Sequence, residues 1–166
     1  MGTRGLVAAL ALTVAACGGS EPVDDPGAAS EVEERFAQWV RAWNSFNPAN
    51  LEPFYIQKRH LTVAWPNGER MRGWEEESEY QRNFLATVMV MNLQPRDATF
   101  VMIHGNLALI TFGFSLDMAA GGRRQIGPGQ ATMLWQKEGG VWRIYSAQLS
   151  YARTTERQLT QPPTRR

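Results

Sequence analysis

Few residues in this chain are able to move protons or hold ligands. Among 166 residues there are two histidines, His60 and His104, and a single cysteine, Cys17. One cysteine excludes an intrachain disulfide and a multi-cysteine zinc site, and two histidines do not make a histidine-rich metal centre. The chain is therefore expected to carry no metal and no other cofactor. His60 follows the polar run Gln57-Lys58-Arg59 and His104 sits beside the Gly105-Asn106 turn. Neither has a neighbouring acid to orient it as a base, so both read as solvated. If a base is needed, His60 and Tyr55 are the first candidates. Glu75, Glu76 and Glu77 are consecutive on a helical pattern, where adjacent carboxylates point in different directions. They read as charge at a helix N-terminus and not as a metal cluster. Arg123-Arg124 reads as a solvated hairpin tip. No glycine-rich phosphate loop, nucleophile elbow or zinc spacing is present. Lys and Arg number 17 against 16 Asp and Glu, a balance without the basic excess of a nucleic-acid binder.

What the chain does have is flat side chains: six Trp, seven Phe and four Tyr. Taken singly, Trp39, Trp43, Tyr55, Trp65 and Tyr80 are core material, because aromatic stripes at helical spacing usually are. The other use of such side chains is a pocket wall, since ligand sites are mostly apolar with a few polar groups. Ser146, Gln148 and Ser150 alternate on one strand face and offer hydrogen bonds to such a pocket or, alternatively, to water.

The elements that must position these residues follow from periodicity. Ser30 with Glu33 forms a capping-box pattern, and Val32, Phe36, Trp39, Val40, Trp43 and Phe46 form one helical stripe. Asn47-Pro48-Ala49-Asn50 stops that helix, and Leu51–Tyr55 forms a short turn. Leu61–Trp65 is a short strand ended by Pro66-Asn67-Gly68. From Gly73 a second long helix carries Trp74, Glu77, Tyr80 or Gln81, Phe84, Val88 and Met91. After Pro95 the texture becomes β: strands at Thr99–His104, Leu107–Met118, Gly129–Lys137 and Val141–Tyr151, joined by short glycine turns. Helices followed by an antiparallel meander make an α+β domain over residues 30–152. Residues 153–166 read as a polar tail.

The N-terminus carries its own signal. A short charged start and an apolar run from Gly5 to Ala16 have the proportions of a signal peptide over residues 1–16 and are too short to span a bilayer. Val14-Ala15-Ala16-Cys17 resembles a bacterial lipobox, which implies lipidation of Cys17 and membrane attachment through that lipid. Residues 17–29 then read as the lipidated Cys and a flexible tether. Gly18 after the cysteine resembles the outer-membrane default, which implies an envelope protein facing the periplasm. Loss of Arg4 with the signal leaves the mature chain formally neutral.

The order of elements resembles the nuclear-transport-factor-2-like superfamily, in its SnoaL-like branch. Phe36–Asn44 is similar to that branch's first helix, and Leu51-Glu52-Pro53-Phe54-Tyr55 to its turn. Thr62–Gly68 with Gly73 is similar to its strand and Pro-x-Gly loop, and Gly140-Val141-Trp142-Arg143-Ile144 through Ser150 to its closing strand. The resemblance implies a cystatin-like α+β barrel, a strongly bent sheet wrapped as a cone around two to three N-terminal helices. It also implies an apolar pocket at the open end and, often, a homodimer through the sheet's outer face. Steroid-isomerising relatives keep an Asp base where this chain has Trp65, and oxyanion-hole groups where it has Trp39 and about Gly129. Many members carry His two or four residues before the last strand's Ser, where this chain has Gln148 and Ser146. An indole is no carboxylate base. The expectation is a lipid-anchored, non-catalytic protein that binds a small hydrophobic ligand or a protein partner in its cone. Its ligand residues would be Trp39, Trp43, Tyr55, Trp65, Tyr80, Ser146 and Gln148. The alternative is an isomerase, cyclase or hydratase with a non-standard base.

Overall fold

The computed structural model describes residues 26–151 and 155–158; Cys17 and the expected signal segment lie outside them. Helix α1 (Pro26–Asn44) buries Ala28, Val32, Phe36, Trp39, Ala42 and Trp43 along one face. It starts before Ser30, so the expected capping box does not form: Ser30 is exposed within the helix, and Pro26–Ala29, expected in the tether, form its first turn. Pro suits a first turn, where its missing N–H would have no partner, and burial of Ala28 against the core extends the helix back to it. Phe46, expected on the stripe, is exposed beyond the helix end at φ 58°.

A four-residue helix, α2 (Pro48–Leu51), is capped by the Asn47 side chain, which accepts from the Ala49 N–H, and runs into a 3-10 turn at Glu52–Phe54. Strands β1 (Thr62–Ala64) and β2 (Arg70–Arg72) form a small hairpin; β2 is too short and polar to show as a strand in sequence. Helix α3 (Trp74–Leu85) follows from Gly73, at φ 89°. A Cβ there would lie 3.3 Å from the Arg59 backbone in a conformation that L side chains rarely adopt.

The expected continuation of this helix through Val88 and Met91 is incorrect. Thr87 turns its N–H and hydroxyl back onto the Phe84 carbonyl, and β3 (Val88–His104) begins there instead of at Thr99. Pairing with β4 (Leu107–Ala120) and burial of Met91 and Leu93 on alternate positions outweigh the helical spacing. Pro95 is tolerated because β3 is an edge strand. Strand β5 (Arg123–Glu138) also starts earlier than Gly129. Its Pro128 falls between the stretch paired with β7 (Thr155–Gln158) and the stretch paired with β6 (Val141–Tyr151). Strand β7 lies within the segment expected as a polar tail.

The sheet runs β2-β1-β6-β5-β4-β3, with β7 added on β5. All pairs are antiparallel except β1 with β6, which is parallel; the wholly antiparallel sheet expected from the meander is corrected by this one pair. Strands β2 and β3 are edges, so the sheet curves without closing into a barrel, and bulges in β3 and between Leu134 and Trp135 accentuate the bend. Helix α1 fills the concave side. Phe36 meets Phe112 and Phe100 edge-on at 4.8 and 5.6 Å, and Trp39 packs on Phe112 at 6.2 Å. The Asn44 side chain clamps the helix end to β3, donating to the Leu93 carbonyl at 3.0 Å and accepting from its N–H at 2.8 Å.

Candidate functional site

At the end of the cone beyond α1, the concave surfaces leave a cavity of about 50 Å³. Trp39 and Trp43, one turn apart on α1, form its floor with Phe114. Trp65 and Pro66 of the β1–β2 turn and Phe84 of α3 form one wall; Met91, Leu93, Leu116, Met118, Leu149 and Tyr151 from β3, β4 and β6 form the other. Adjacent rings cross steeply: Trp43 meets Trp65 at 5.5 Å and 70°, and Phe84 at 6.4 Å and 65°. Tyr80 lies behind, tilted on Trp65 at 5.0 Å and parallel to Phe84 at 6.0 Å. The volume is about a third of the ~150 Å³ that accommodates benzene in an engineered core cavity. A larger ring system therefore enters only with displacement of wall side chains.

Next to this cavity stands the one buried carboxylate among the described residues. Glu77 is fully buried. The Trp65 indole N–H donates to its Oε2 at 3.0 Å and the Gln81 amide to its Oε1 at 2.7 Å. No cation pairs with it among the described residues. Burial pushes its carboxyl up to about 7, against the two hydrogen bonds, which favour the charged form. Glu75 and Glu76 are exposed, so the three consecutive acids do diverge, but one diverges inward. The sequence carried a sign of this: Glu77 falls on the same stripe as Trp74, Gln81 and Phe84, and a carboxylate on an apolar stripe is buried when the stripe packs.

Tyr55 is buried beside this group, stacked on Trp74 at 5.9 Å. Its hydroxyl accepts from the Trp39 indole N–H at 3.3 Å. The Trp43 indole N–H approaches the same hydroxyl without reaching hydrogen-bond geometry and has no other partner among the described residues. Burial, and then the charge of Glu77, raise the phenol far above its ordinary value, so it does not ionise near neutrality.

Of the residues expected to meet a ligand, Trp39, Trp43 and Trp65 line the cavity, and Tyr80 backs it with its hydroxyl accepting from Asn67 at 3.3 Å. Tyr55 lies one layer deeper. Ser146 and Gln148 point to the outer face of β6, where the Ser146 hydroxyl pairs with Thr62 at 2.9 Å and Gln148 is exposed; the extra residue Tyr145, opposite the Leu134–Trp135 step, carries Ala147 and Leu149 inward instead. His60 is exposed and stacks on Tyr145 at 5.0 Å, and His104 is exposed at the end of β3. Arg124 forms a two-point ion pair with Asp117 at 2.7 and 2.8 Å. At Gly129, near the place expected to correspond to an acid of the steroid-isomerising relatives, a Cβ would fall 2.2 Å from the Phe114 ring and 2.7 Å from the Ser150 carbonyl. Phe114 thus fills that space. Among the described residues no cluster of His, Cys, Asp and Glu is arranged to hold a metal ion, and no helix is long and apolar enough to cross a membrane.

A curved sheet folded over helices, with an aromatic cavity where they diverge, is the cystatin-like, nuclear-transport-factor-2-like fold. Solved structures of that class superpose along most of their length. A Novosphingobium aromaticivorans protein assigned as a scytalone dehydratase has a TM-score of 0.69 at 12% identity, covering 82% of this chain and 93% of that one. A nuclear-transport-factor-2-like protein of Salmonella enterica has a TM-score of 0.66 at 19% identity, covering 75% and 90%. A Streptomyces avermitilis protein assigned as a dehydratase has a TM-score of 0.67 at 14% identity, covering 75% and 95%. No curated protein matches the sequence. Residues 32–154 match the SnoaL-like domain, and the chain belongs to the SnoaL-like family.

Proposed function

We propose that this protein binds a small apolar molecule in the cone without transforming it, and that a lipid on Cys17 carries it in the bacterial envelope, on the outer membrane facing the periplasm. One observation carries the binding part: the cavity lining is aromatic and aliphatic throughout, with no carboxylate, imidazole, guanidinium or ammonium on it. Such a wall favours an apolar guest through burial of its surface and ring contacts, and its one titratable group, the Tyr151 phenol, is pushed up to about 12 by burial and stays neutral. The anchor rests on the lipobox-like Val14-Ala15-Ala16-Cys17. Native mass spectrometry of the protein after incubation with hydrophobic metabolite extracts tests the binding. A bound mass that disappears on Trp43→Ala is expected; consistent absence of any bound molecule overturns the proposal.

A second reading, acid–base turnover as in the dehydratase-assigned neighbours, has Glu77 in its favour, because a carboxyl poised at about 7 suits proton transfer at neutral pH. Its oxygens are held by Trp65 and Gln81 behind the cavity wall, which is why binding is the preferred function.

A further inference from the structure

An apolar cavity does not explain why a carboxylate is buried beside it. Glu77 costs desolvation energy, has no cationic partner among the described residues, and takes no part in the lining. A carboxylate with hydrogen bonds but no counter-ion, next to a box of steeply crossed aromatic rings, is missing one component: a positive charge that is itself apolar.

We propose that the guest is an organic cation, whose quaternary ammonium or protonated alkylamine head is held by Trp39, Trp43, Trp65 and Phe84 with Glu77 as the buried counter-charge. The proposal deepens the binding function above and rests on it. Rings crossing at 65–76° surround a compact head group from several sides, and the negative faces of Trp in particular attract cations. The Trp65 indole donates its N–H to the Glu77 carboxylate at 3.0 Å, which leaves its ring richer in electrons and couples the buried charge to the cavity wall. In a site away from water that charge is felt strongly across one side chain. The cavity, about 50 Å³, suits a head group better than a fused ring system. Met91, Leu93, Leu116 and Met118 offer aliphatic and thioether contacts to the remainder. A hydrated inorganic cation is not a fitting guest, because the lining has no oxygen ligands to replace its water.

Linkage gives the site a pH signature. Cation binding favours ionised Glu77, so affinity rises as pH passes upward through about 7. The titratable groups facing Glu77 are Tyr55 and Tyr80, and Tyr151 lies across the cavity; all three phenols are held above their ordinary value and stay neutral in this range. Glu69 acts on Tyr80 from the exposed β1–β2 turn.

The test compares phenyltrimethylammonium with tert-butylbenzene, its uncharged isostere, by tryptophan fluorescence and calorimetry at constant ionic strength. At pH 8 the protein is expected to bind the cation at least tenfold more tightly. That preference should fall at least fivefold at pH 6, and equally in Glu77→Gln at pH 8. Glu77→Gln should show no further change between the two pH values, which separates Glu77 from the exposed His60 and His104. If the isostere binds as well as the cation, or if pH and Glu77→Gln both leave the preference intact, the counter-charge is wrong and the apolar pocket stands. If neither compound binds, both the cation assignment and the pocket fail. Should Glu77→Gln not fold, the pH series on the unaltered protein decides.

Discussion

At the scale of single residues, Glu77 is the group on which stability and binding meet. Its folded carboxyl lies at about 7 against an ordinary 4.5, so between these values the folded state holds a proton that the unfolded chain has released. Stability is therefore greatest below about pH 4.5 as far as this group is concerned, declines as pH rises toward 7, and is level above it. The separation corresponds to about 3 kcal/mol at 1.36 kcal/mol per pH unit. Urea unfolding should show Glu77→Gln more stable than the natural protein at pH 8 by up to about 3 kcal/mol, with the gap closing toward pH 5. The Gln81 amide can turn to offer its carbonyl, so the replacement leaves both neighbours partnered. An equal gap at both pH values would show that ionisation is not its cause.

At the scale of elements, the cavity depends on how α1 is seated against β3. Helix propensity and the Val32-to-Trp43 stripe build α1, but its height in the cone is set by the two-way clamp between Asn44 and the Leu93 backbone. Asn44→Ala leaves a half-buried N–H and C=O without partners, which costs about 1–3 kcal/mol. Because Leu93 and Trp43 both line the cavity, ligand affinity should fall along with thermal stability. Asn44→Asp, which can still accept from the Leu93 N–H but cannot donate, should lie between. Differential scanning calorimetry with a ligand titration checks both, and a stability loss with unchanged affinity would show that the clamp does not shape the cavity. The same region shows why one boundary was not legible. Val88 and Met91 continue a helical spacing as well as they begin a strand, and only a partner strand, β4, offers ladder hydrogen bonds that a helix would forgo.

At the scale of the whole molecule, the domain is an aromatic cone with a charged and polar exterior, and its proposed attachment lies at Cys17. Cys17→Ala should shift the protein from the membrane to the soluble fraction, read by fractionation of cells that express it; undiminished membrane association would overturn the anchor. The ligand site should survive that change, since its walls come from α1, α3, the β1–β2 turn and three strands within residues 39–151. Anchor and pocket are separable, and a soluble Cys17→Ala protein suits the binding measurements.

Periodicity and turn chemistry determined the presence of the helices, most of the strands and the α+β class, because a stripe such as Val32, Phe36, Trp39 and Trp43 has one face to bury and only a core to bury it in. The tertiary structure decided what lies between elements: the parallel entry of β1 beside β6, the early start of β3 and β5, the outward turn of Ser146 and Gln148 past a bulge, and above all the inward Glu77. The physical reason is that strand register, bulges and the desolvation of a carboxylate are properties of pairs of segments far apart in the chain. A local pattern can place a glutamate on an apolar face, but only the packed cone determines that it is buried there with no cationic side chain beside it among the described residues.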